Sequence, residues 1–253
     1  MKRTLFFGTL LCLVGSTFAA DSGPKDEVKG AAKKLSDQPN YSWKSNIEMG
    51  GAGGGGGGQG GRGRFGGPTD GKTEKDGFTM LSMARGDNTI EAVLKGGKGA
   101  IKTQEGWQSL SEAADAAGVG GGGGGQNAGR FMARMLQSFK APAAQADDLV
   151  AKCKDLKKAD GAYTGDLTEE GVKELLSFGP RRGGGDAPAV SNAKGSAKFW
   201  LKDGVLSKYE FKVQGSISFN GNDREIERTT TVEVKEVGST KVSPPDEAKK
   251  KIS

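Results

Sequence analysis

The sequence contains no histidine and only two cysteines, and these absences exclude several kinds of site. Without histidine there can be no Ser-His-Asp triad, no Cys-His dyad and no His-ligated metal centre. One of the cysteines, Cys12, lies in an apolar run at the N-terminus. If that run is removed, only Cys153 remains, and no intramolecular disulfide can form. The mature fold must therefore be stabilised by its apolar core.

The residues that could still carry chemistry have simpler structural explanations. Cys153 recurs with Leu149 and Leu156 at helical spacing, which predicts a buried thiol that behaves as a small apolar side chain. The paired acids stand near expected helix starts, where carboxylates favour the helix dipole. These pairs are Asp147-Asp148, Glu169-Glu170 and Asp246-Glu247. The sequence has no nucleophile–base pair, metal-ligand set or phosphate-binding loop, so we predict a protein that is not an enzyme and needs no cofactor.

Long hydrophobic runs are also missing. The apolar run over residues 5–14 is too short to span a membrane comfortably. A basic pair, Lys2-Arg3, precedes it, and small residues ending at Ala20 follow it. This pattern is typical of a signal peptide, which we predict over residues 1–20. The protein is then expected to be exported and to reside in the periplasm or outside the cell, with no transmembrane segment in the mature chain.

Glycine, in contrast, is abundant, with 44 residues. It is concentrated in three tracts, at residues 50–67, 118–125 and 183–185. Such segments bury too little apolar surface to offset the entropy of ordering them, which predicts disordered loops. Readable strand and helix patterns lie on both sides of each tract. We therefore interpret the tracts as expanded, low-complexity loops inside one domain that covers residues 21–253.

The late part of the chain has the clearest pattern. Residues 199–219 alternate between apolar and polar side chains, which predicts one long strand with a dry face and a wet face. The dry positions are Val205, Tyr209, Phe211, Val213, Ile217 and Phe219, and the wet ones include Lys208, Glu210 and Lys212. Asn220-Gly221 predicts a tight hairpin turn. A return strand then repeats the alternation, with Ile226, Thr230, Val232 and Val234 on its dry face.

The remaining patterns predict an α+β fold. A helix begins near Pro24 and ends before Pro39, and a first strand follows over Tyr41 to Met49. Short strands are expected over residues 78–84, 89–95 and 99–103, and helices in the middle of the chain. A final short helix should begin at Pro244-Pro245 and end near Ile252. We expect the first and last strands to join one antiparallel sheet, with the central helices on its apolar face.

This order of elements resembles the LolA/LppX-LprG group of exported bacterial lipoprotein-carrier and lipid-binding proteins. The resemblance is carried by Phe199-Trp-Leu-Lys-Asp-Gly-Val-Leu-Ser-Lys-Tyr-Glu, Val232-Glu-Val-Lys-Glu-Val-Gly and Pro244-Pro245-Asp-Glu-Ala-Lys-Lys-Lys-Ile. It covers about sixty residues closely and the earlier part only in architecture. It implies a curved antiparallel half-barrel covered by helices, with an apolar cavity that accepts acyl chains.

A lipid or acyl-chain ligand is thus the first functional hypothesis. Its candidate binding residues are the large apolar side chains of the strands and of a helix rich in Met and Phe, because methionine adapts to irregular apolar shapes. They are Trp43, Phe78, Met80, Phe131, Met135, Phe139, Tyr209, Phe211, Val213, Ile217 and Val232. The same residues would equally suit an ordinary closed core.

Two further hypotheses concern macromolecular partners. A structural or interaction protein of the cell envelope, with a closed core and no ligand, is the main alternative, and its glycine tracts could contact an envelope partner. Nucleic acid is a third candidate, because Arg62-Gly-Arg64-Phe65 is close to an arginine-glycine box. That motif occurs as a single copy in a chain expected to be exported, which argues against nucleic acid as a partner.

Overall fold

The computed structural model describes residues 23–50, 67–86, 88–116, 126–177, 189–219 and 222–252. The predicted signal peptide, nearly all of each glycine tract and the Asn220-Gly221 turn lie outside these residues. The helices are α1 (Pro24–Ser36), α2 (Leu110–Ala116), α3 (Gln126–Gln137), α4 (Pro142–Lys152), α5 (Glu169–Leu176) and α6 (Asp246–Ile252). The strands are β1 (Asn40–Gly50), β2 (Thr69–Glu74), β3 (Thr79–Arg85), β4 (Asn88–Lys95), β5 (Lys98–Thr103), β6 (Gly106–Ser109), β7 (Lys157–Ala159), β8 (Ala162–Asp166), β9 (Ala189–Lys202), β10 (Val205–Phe219) and β11 (Asn222–Lys235).

In the described part of the chain the strands form one antiparallel sheet of eleven strands, in the order β6-β5-β4-β3-β2-β1-β11-β10-β9-β8-β7. The first and last strands, β1 and β11, pair at its centre, with Trp43 opposite Val234. The short strands β6 and β7 form two separate edges, so the sheet is open. The predicted α+β class, an open antiparallel sheet of half-barrel type with helices, is confirmed.

The two faces of the sheet carry separate apolar cores. The face that bears Tyr209, Phe211 and Val213 is called the inner face, and it packs with residues of α1 to α5. The opposite, outer face bears Val93 and Ala100, and α6 packs on it at the β4–β6 end. The predicted cover of central helices on one apolar face is therefore present, while the final helix lies on the other side of the sheet.

Several helix boundaries follow from the signals in the sequence. Ser109 and Glu112 form a reciprocal capping box at the start of α2, since Glu112 N–H donates to Ser109 Oγ at 3.1 Å and Ser109 N–H donates to Glu112 Oε2 at 2.7 Å. Thr168 caps α5 by accepting a hydrogen bond from the Gly171 N–H at 3.1 Å. Pro24 stands in the first turn of α1, where its missing N–H costs nothing.

One prediction was wrong: residues 199–219 are two strands and not one. Strand β9 ends at Lys202, and β10 begins at Val205. Asp203 and Gly204, between them, have φ values of 53° and 73°. An Asp-Gly pair in the left-handed region makes a two-residue hairpin turn, so the chain reverses there.

A bulge also changes the inner face of β10. Leu206 pairs with Leu201 and Lys208 pairs with Trp200, which leaves Ser207 as an extra residue on β10. The extra residue shifts the alternation by one position, because successive side chains of a strand point to opposite faces. Leu206 consequently joins Tyr209 in the core and is fully buried, although the alternation predicted Val205 for that face.

Three strands carry no apolar alternation and were not predicted. Strand β2 is polar apart from Gly71, which lies under the ring of Trp43. A Cβ at Gly71 would come within 2.0 Å of the Trp43 ring. Strands β7 and β8 are short and extend the sheet at the β9 edge. Their positions depend on pairing with neighbours distant in sequence, which a local pattern does not encode.

Candidate functional site

Four of the predicted ligand-binding residues form the centre of the inner-face core. Tyr209, Phe211, Val213 and Val232 are between 0 and 4% exposed. Tyr209 is packed near Phe199, with the two ring centroids 6.4 Å apart, and burial raises the pKa of the Tyr209 hydroxyl well above its usual value. These side chains are packed by protein atoms in the structure.

Trp43 and Phe139 form a second packed group on the same face. Their rings stack with centroids 5.8 Å apart, and the Trp43 Nε1–H donates to Thr73 Oγ1 at 3.1 Å. Phe139 lies two residues beyond the end of α3 and is half-buried. The pair covers the part of the inner face between β1 and β2, where Gly71 provides the space for the indole.

The inner face becomes progressively uncovered along β1. Tyr41 and Trp43 are buried, Ile47 is half-buried, and Met49 at the end of the strand is 60% exposed. All four occupy alternating positions of one strand and therefore share the inner face. Ile217 and Ile226, on the neighbouring part of β10 and β11, are also half-buried. We call the group of Ile47, Met49, Ile217 and Ile226 the inner-face opening.

Of the two predicted residues on α3, only Met135 can be placed. Met135 is half-buried and packs against the inner-face core. The side chain of Phe131 lies outside the described residues. Phe78 and Met80 lie apart from all the others, because they pack against the small core of the outer face, beside α6. The eleven predicted residues thus do not line one common surface.

A cleft of about 530 Å³ lies on that outer face. Met80, Val93, Trp107 and Pro245 are apolar residues of its lining. The charges of its lining balance, with Lys44, Lys72 and Lys235 against Asp70, Glu91 and Glu236, and Lys44 Nζ is 3.5 Å from Asp70 Oδ1. The cleft therefore combines apolar side chains with equal numbers of positive and negative groups, and its charge favours neither an anionic nor a cationic ligand.

Arg228 is the functional candidate that the sequence reasoning missed. On β11 it occupies the dry position between Ile226 and Thr230, paired with Val213 on one side and Met49 on the other. Its Nη2–H donates to the carbonyl oxygen of Leu175 at 2.8 Å, whereas its buried Nε has no hydrogen-bond partner. Burial lowers the pKa of the Arg228 guanidinium. The sequence did contain a signal for this site: an arginine stands at a position that alternates with Ile226, Thr230 and Val232.

The carboxylates of the sheet are all on the other side. Every Asp and Glu in the described strands occupies an outer-face position, as the register and the two-residue alternation require. They are Glu48, Asp70, Glu74, Glu91, Asp166, Glu210, Asp223, Glu225, Glu227 and Glu233. There several of them pair with lysines across strands, as Glu227 does with Lys212 and Glu233 with Lys208. Arg228 therefore faces no strand carboxylate, and Arg224, also at an inner-face position, is exposed.

Other candidates for chemistry have structural roles. Cys153 is 2% exposed, and its Sγ–H donates to the Leu149 carbonyl oxygen at 3.2 Å. Burial raises the pKa of this thiol to about 11, which disfavours the thiolate. Within the described ranges, no group of three or more Cys, Asp or Glu side chains could hold a metal ion, and no helix is long and apolar enough to cross a membrane.

Comparison with known proteins gives matches in structure but not in sequence. No family model and no curated protein matches the chain. The fold is similar to the crystal structure of the lipoprotein LppX of Mycobacterium tuberculosis, at 10% identity and a TM-score of 0.42 over 87% of this chain and 97% of that chain. It is also similar to LprF from Mycobacterium bovis, at 10% identity and a TM-score of 0.41 over 89% of this chain and 97% of that chain. A DUF1329 family protein from Desulfovibrio piger has 11% identity and a TM-score of 0.29, over 84% and 92% of the two chains.

These similarities concern the course of the chain. At such low identity and with TM-scores below 0.5 they assign neither a family nor a ligand. Any functional conclusion has to rest on the residues of this chain.

Proposed function

We propose that this chain is an exported, non-enzymatic binding protein that holds an apolar ligand, a lipid or a lipoprotein acyl chain, between its sheet and its helices. The observation that supports this proposal is the inner-face opening. Met49 is 60% exposed there, directly beyond the buried Trp43 and half-buried Ile47 on the same face of β1. An apolar surface that runs from the core to solvent is typical of a ligand or partner site.

In this proposal the ligand lies on the end of the inner face and not in its centre. Tyr209, Phe211, Val213 and Val232 would then support the site from below, because they are already packed. Ile47, Met49, Ile217 and Ile226 would contact the acyl chain directly, with Met135 and Phe139 at the border towards α3. The flexible methionine side chains suit ligands of variable shape.

The proposal is tested by native mass spectrometry of the mature protein purified without detergent, followed by titration with a fluorescent fatty acid. We expect co-purified lipid and binding of the probe at micromolar concentration. Met49→Asn should weaken probe binding roughly three- to tenfold, because one apolar contact is lost.

Val237→Asn is the matched control for this test. Val237 is 40% exposed, lies beyond the end of β11, and packs with neither of the two apolar cores. Both substitutions replace an exposed apolar side chain, so both should leave stability nearly unchanged. Equal effects on the probe, or no probe binding by the unmodified protein, would refute the proposed site.

A structural or interaction protein of the cell envelope is the second candidate. It is favoured by the tight packing of Tyr209, Phe211 and Val213, which are 0 to 4% exposed and leave the centre of the inner face closed. Under this alternative the inner-face opening contacts a protein. A lipid-free mass, no probe binding, and cross-linking of a photoreactive residue at position 49 to an envelope protein would support it.

The location of the protein forms part of the same proposal. Residues 1–20 have the pattern of a signal peptide, so the mature chain should begin within a residue or two of Asp21 in the periplasm or outside the cell. N-terminal sequencing of the exported form decides this. An exported form that retains Met1 would contradict the removal of residues 1–20 as a signal peptide.

A further inference from the structure

Arg228 is a half-buried cation at the border of the inner-face opening, and its Nε atom is fully buried. Its neighbours across the two adjacent strands, Met49 and Val213, are apolar, and so is Ile226 on its own strand. Outer-face cations such as Lys212 and Lys44 have carboxylate partners, whereas Arg228 takes part in no ion pair with a described residue. A cation desolvated in this way gains strongly from a negative partner.

The contact that Arg228 does make explains only part of its hydrogen-bonding capacity. Its Nη2 donates to the carbonyl oxygen of Leu175, in the last turn of α5, where helix carbonyls lack partners. This bond accounts for one donor of a guanidinium that carries five. The Nε–H is buried and unpaired, and an unpaired buried donor is destabilising.

Arg224 adds a second positive charge on the same side of the sheet. It lies four residues before Arg228 on β11, also at an inner-face position, and it is exposed. Because every carboxylate of the described strands points to the outer face, no negative charge from those strands offsets these two arginines. The apolar end of the inner face is therefore bordered by positive charge.

We propose that Arg228, assisted by Arg224, binds the carboxylate or phosphate headgroup of an anionic amphiphile whose hydrocarbon chain lies on Ile47, Met49, Ile217 and Ile226. This inference rests on the proposed function and specifies its ligand class. Guanidinium groups bind carboxylate and phosphate oxygens with paired, charge-assisted hydrogen bonds. An acyl chain alone would leave the Arg228 donor unpaired, so an anionic amphiphile is favoured over a neutral one.

The test compares ligands that differ only in the headgroup. Dodecanoate, dodecyl phosphate and dodecan-1-ol are used at pH 8 to displace a neutral fluorescent probe from the mature protein. We expect the two anionic ligands to bind roughly tenfold more tightly than the alcohol, as a charge-assisted hydrogen bond would produce. Inorganic phosphate and acetate should not compete, since they lack the chain.

Substitutions at Arg228 test whether this residue causes the preference for anionic ligands. Arg228→Met should reduce the preference for the anion, measured as the ratio of the dodecan-1-ol and dodecanoate dissociation constants, to about twofold or less. Arg228→Lys should retain part of the preference, because the charge remains. Lys212→Met is the matched control: it removes a cation from the outer face of β10 and should leave the preference unchanged.

The outcomes separate the two proposals. If no amphiphile displaces the probe or binds, the proposed function fails and this inference fails with it. If dodecanoate and dodecan-1-ol bind equally well, or if Arg228→Met keeps the preference for the anion, lipid binding stands and the headgroup role of Arg228 is refuted. Arg228→Met could fail to fold because its contact with α5 is lost. In that case the headgroup role is tested with Arg228→Lys, with Arg224→Gln and by the salt dependence of dodecanoate binding. An affinity for dodecanoate that does not change with salt concentration would refute the role.

Discussion

The hydroxyl of Tyr209 on β10 donates a hydrogen bond of 2.5 Å to the side-chain carbonyl oxygen of Gln145 on α4. The bond connects the centre of the sheet to a helix that covers it. It also satisfies the polar end of a side chain that is otherwise buried. Tyr209 is therefore held by the protein itself and is not free to adapt to a ligand.

Tyr209→Phe should destabilise the fold by about 1–2 kcal/mol, because the hydrogen bond is lost and Gln145 is left without its partner. Urea unfolding measures the change. In a double-mutant cycle with Gln145→Leu, the second substitution should cost less in the Tyr209→Phe background than in the unmodified protein. Additive effects would show that the bond contributes nothing.

Phe211→Ala should cost roughly 3–5 kcal/mol of unfolding free energy, the usual range for truncating a buried Phe. Phe211 is 4% exposed and lies between Thr230 and Ala197 on the adjacent strands. Gln214→Ala, at an exposed outer-face position of β10, is the control and should stay within about 0.5 kcal/mol. A loss below about 1.5 kcal/mol for Phe211→Ala would indicate a loosely filled inner face.

Gly71→Ala and Gly30→Ala should have opposite effects. A Cβ at Gly71 would come within 2.0 Å of the Trp43 ring, which is held by Phe139 and Thr73, so we expect a loss of about 1–3 kcal/mol from overpacking. Gly30 is exposed in the middle of α1 with open space around it, and alanine should stabilise that helix by about 0.5–1 kcal/mol. Thermal unfolding of the two variants checks both signs, and a tolerated Gly71→Ala would mean that Trp43 is mobile.

Stability should fall at alkaline pH through Cys153. Burial raises the pKa of this thiol to about 11, against an ordinary value near 9, so the unfolded chain releases the proton first. Unfolding is therefore favoured as pH rises from about 9 to 11, by on the order of 2 kcal/mol. Cys153→Ala should remove this part of the decline in urea unfolding between about pH 8 and 11.

The remaining decline in that pH range should persist in the Cys153→Ala variant. Burial also raises the pKa of Tyr41, to about 12, so this hydroxyl contributes above about pH 10. At pH 8 the native thiol should react with Ellman's reagent only after denaturation. Rapid reaction of the folded protein would contradict the buried position of Cys153.

Local patterns determined most of the secondary structure. The alternation of Tyr209, Phe211 and Val213 predicts their shared face, and Ser109 and Thr168 mark helix starts through capping bonds that involve only nearby residues. For these residues the interacting groups lie close together in sequence, so the pattern contains the information. Cys153 is buried as its spacing with Leu149 predicted, but α4 ends at Lys152, and Cys153 is an extended residue that pairs with Leu167.

The hairpin at Asp203-Gly204 could also have been predicted, since this pair is a strong turn signal. The alternation on both sides of it concealed the turn, because a two-residue turn between two strands of similar composition reads as one continuous strand. The bulge at Ser207 was harder to foresee. It depends on the partner strand β9, whose register with β10 is set by packing.

Only the tertiary structure decided which apolar residues share a surface. Phe78, Met80, Met49 and Ile217 are all large apolar residues of predicted strands. In the structure α6 covers Phe78 and Met80 on the outer face, whereas Met49 and Ile217 lie at the inner-face opening. The unpaired Nε of Arg228 is likewise a tertiary property. The sequence by itself determined that Arg228 alternates with apolar residues. Whether a carboxylate meets it depends on strands and helices that are distant in sequence, because the charge environment of a buried group is set by what packs around it.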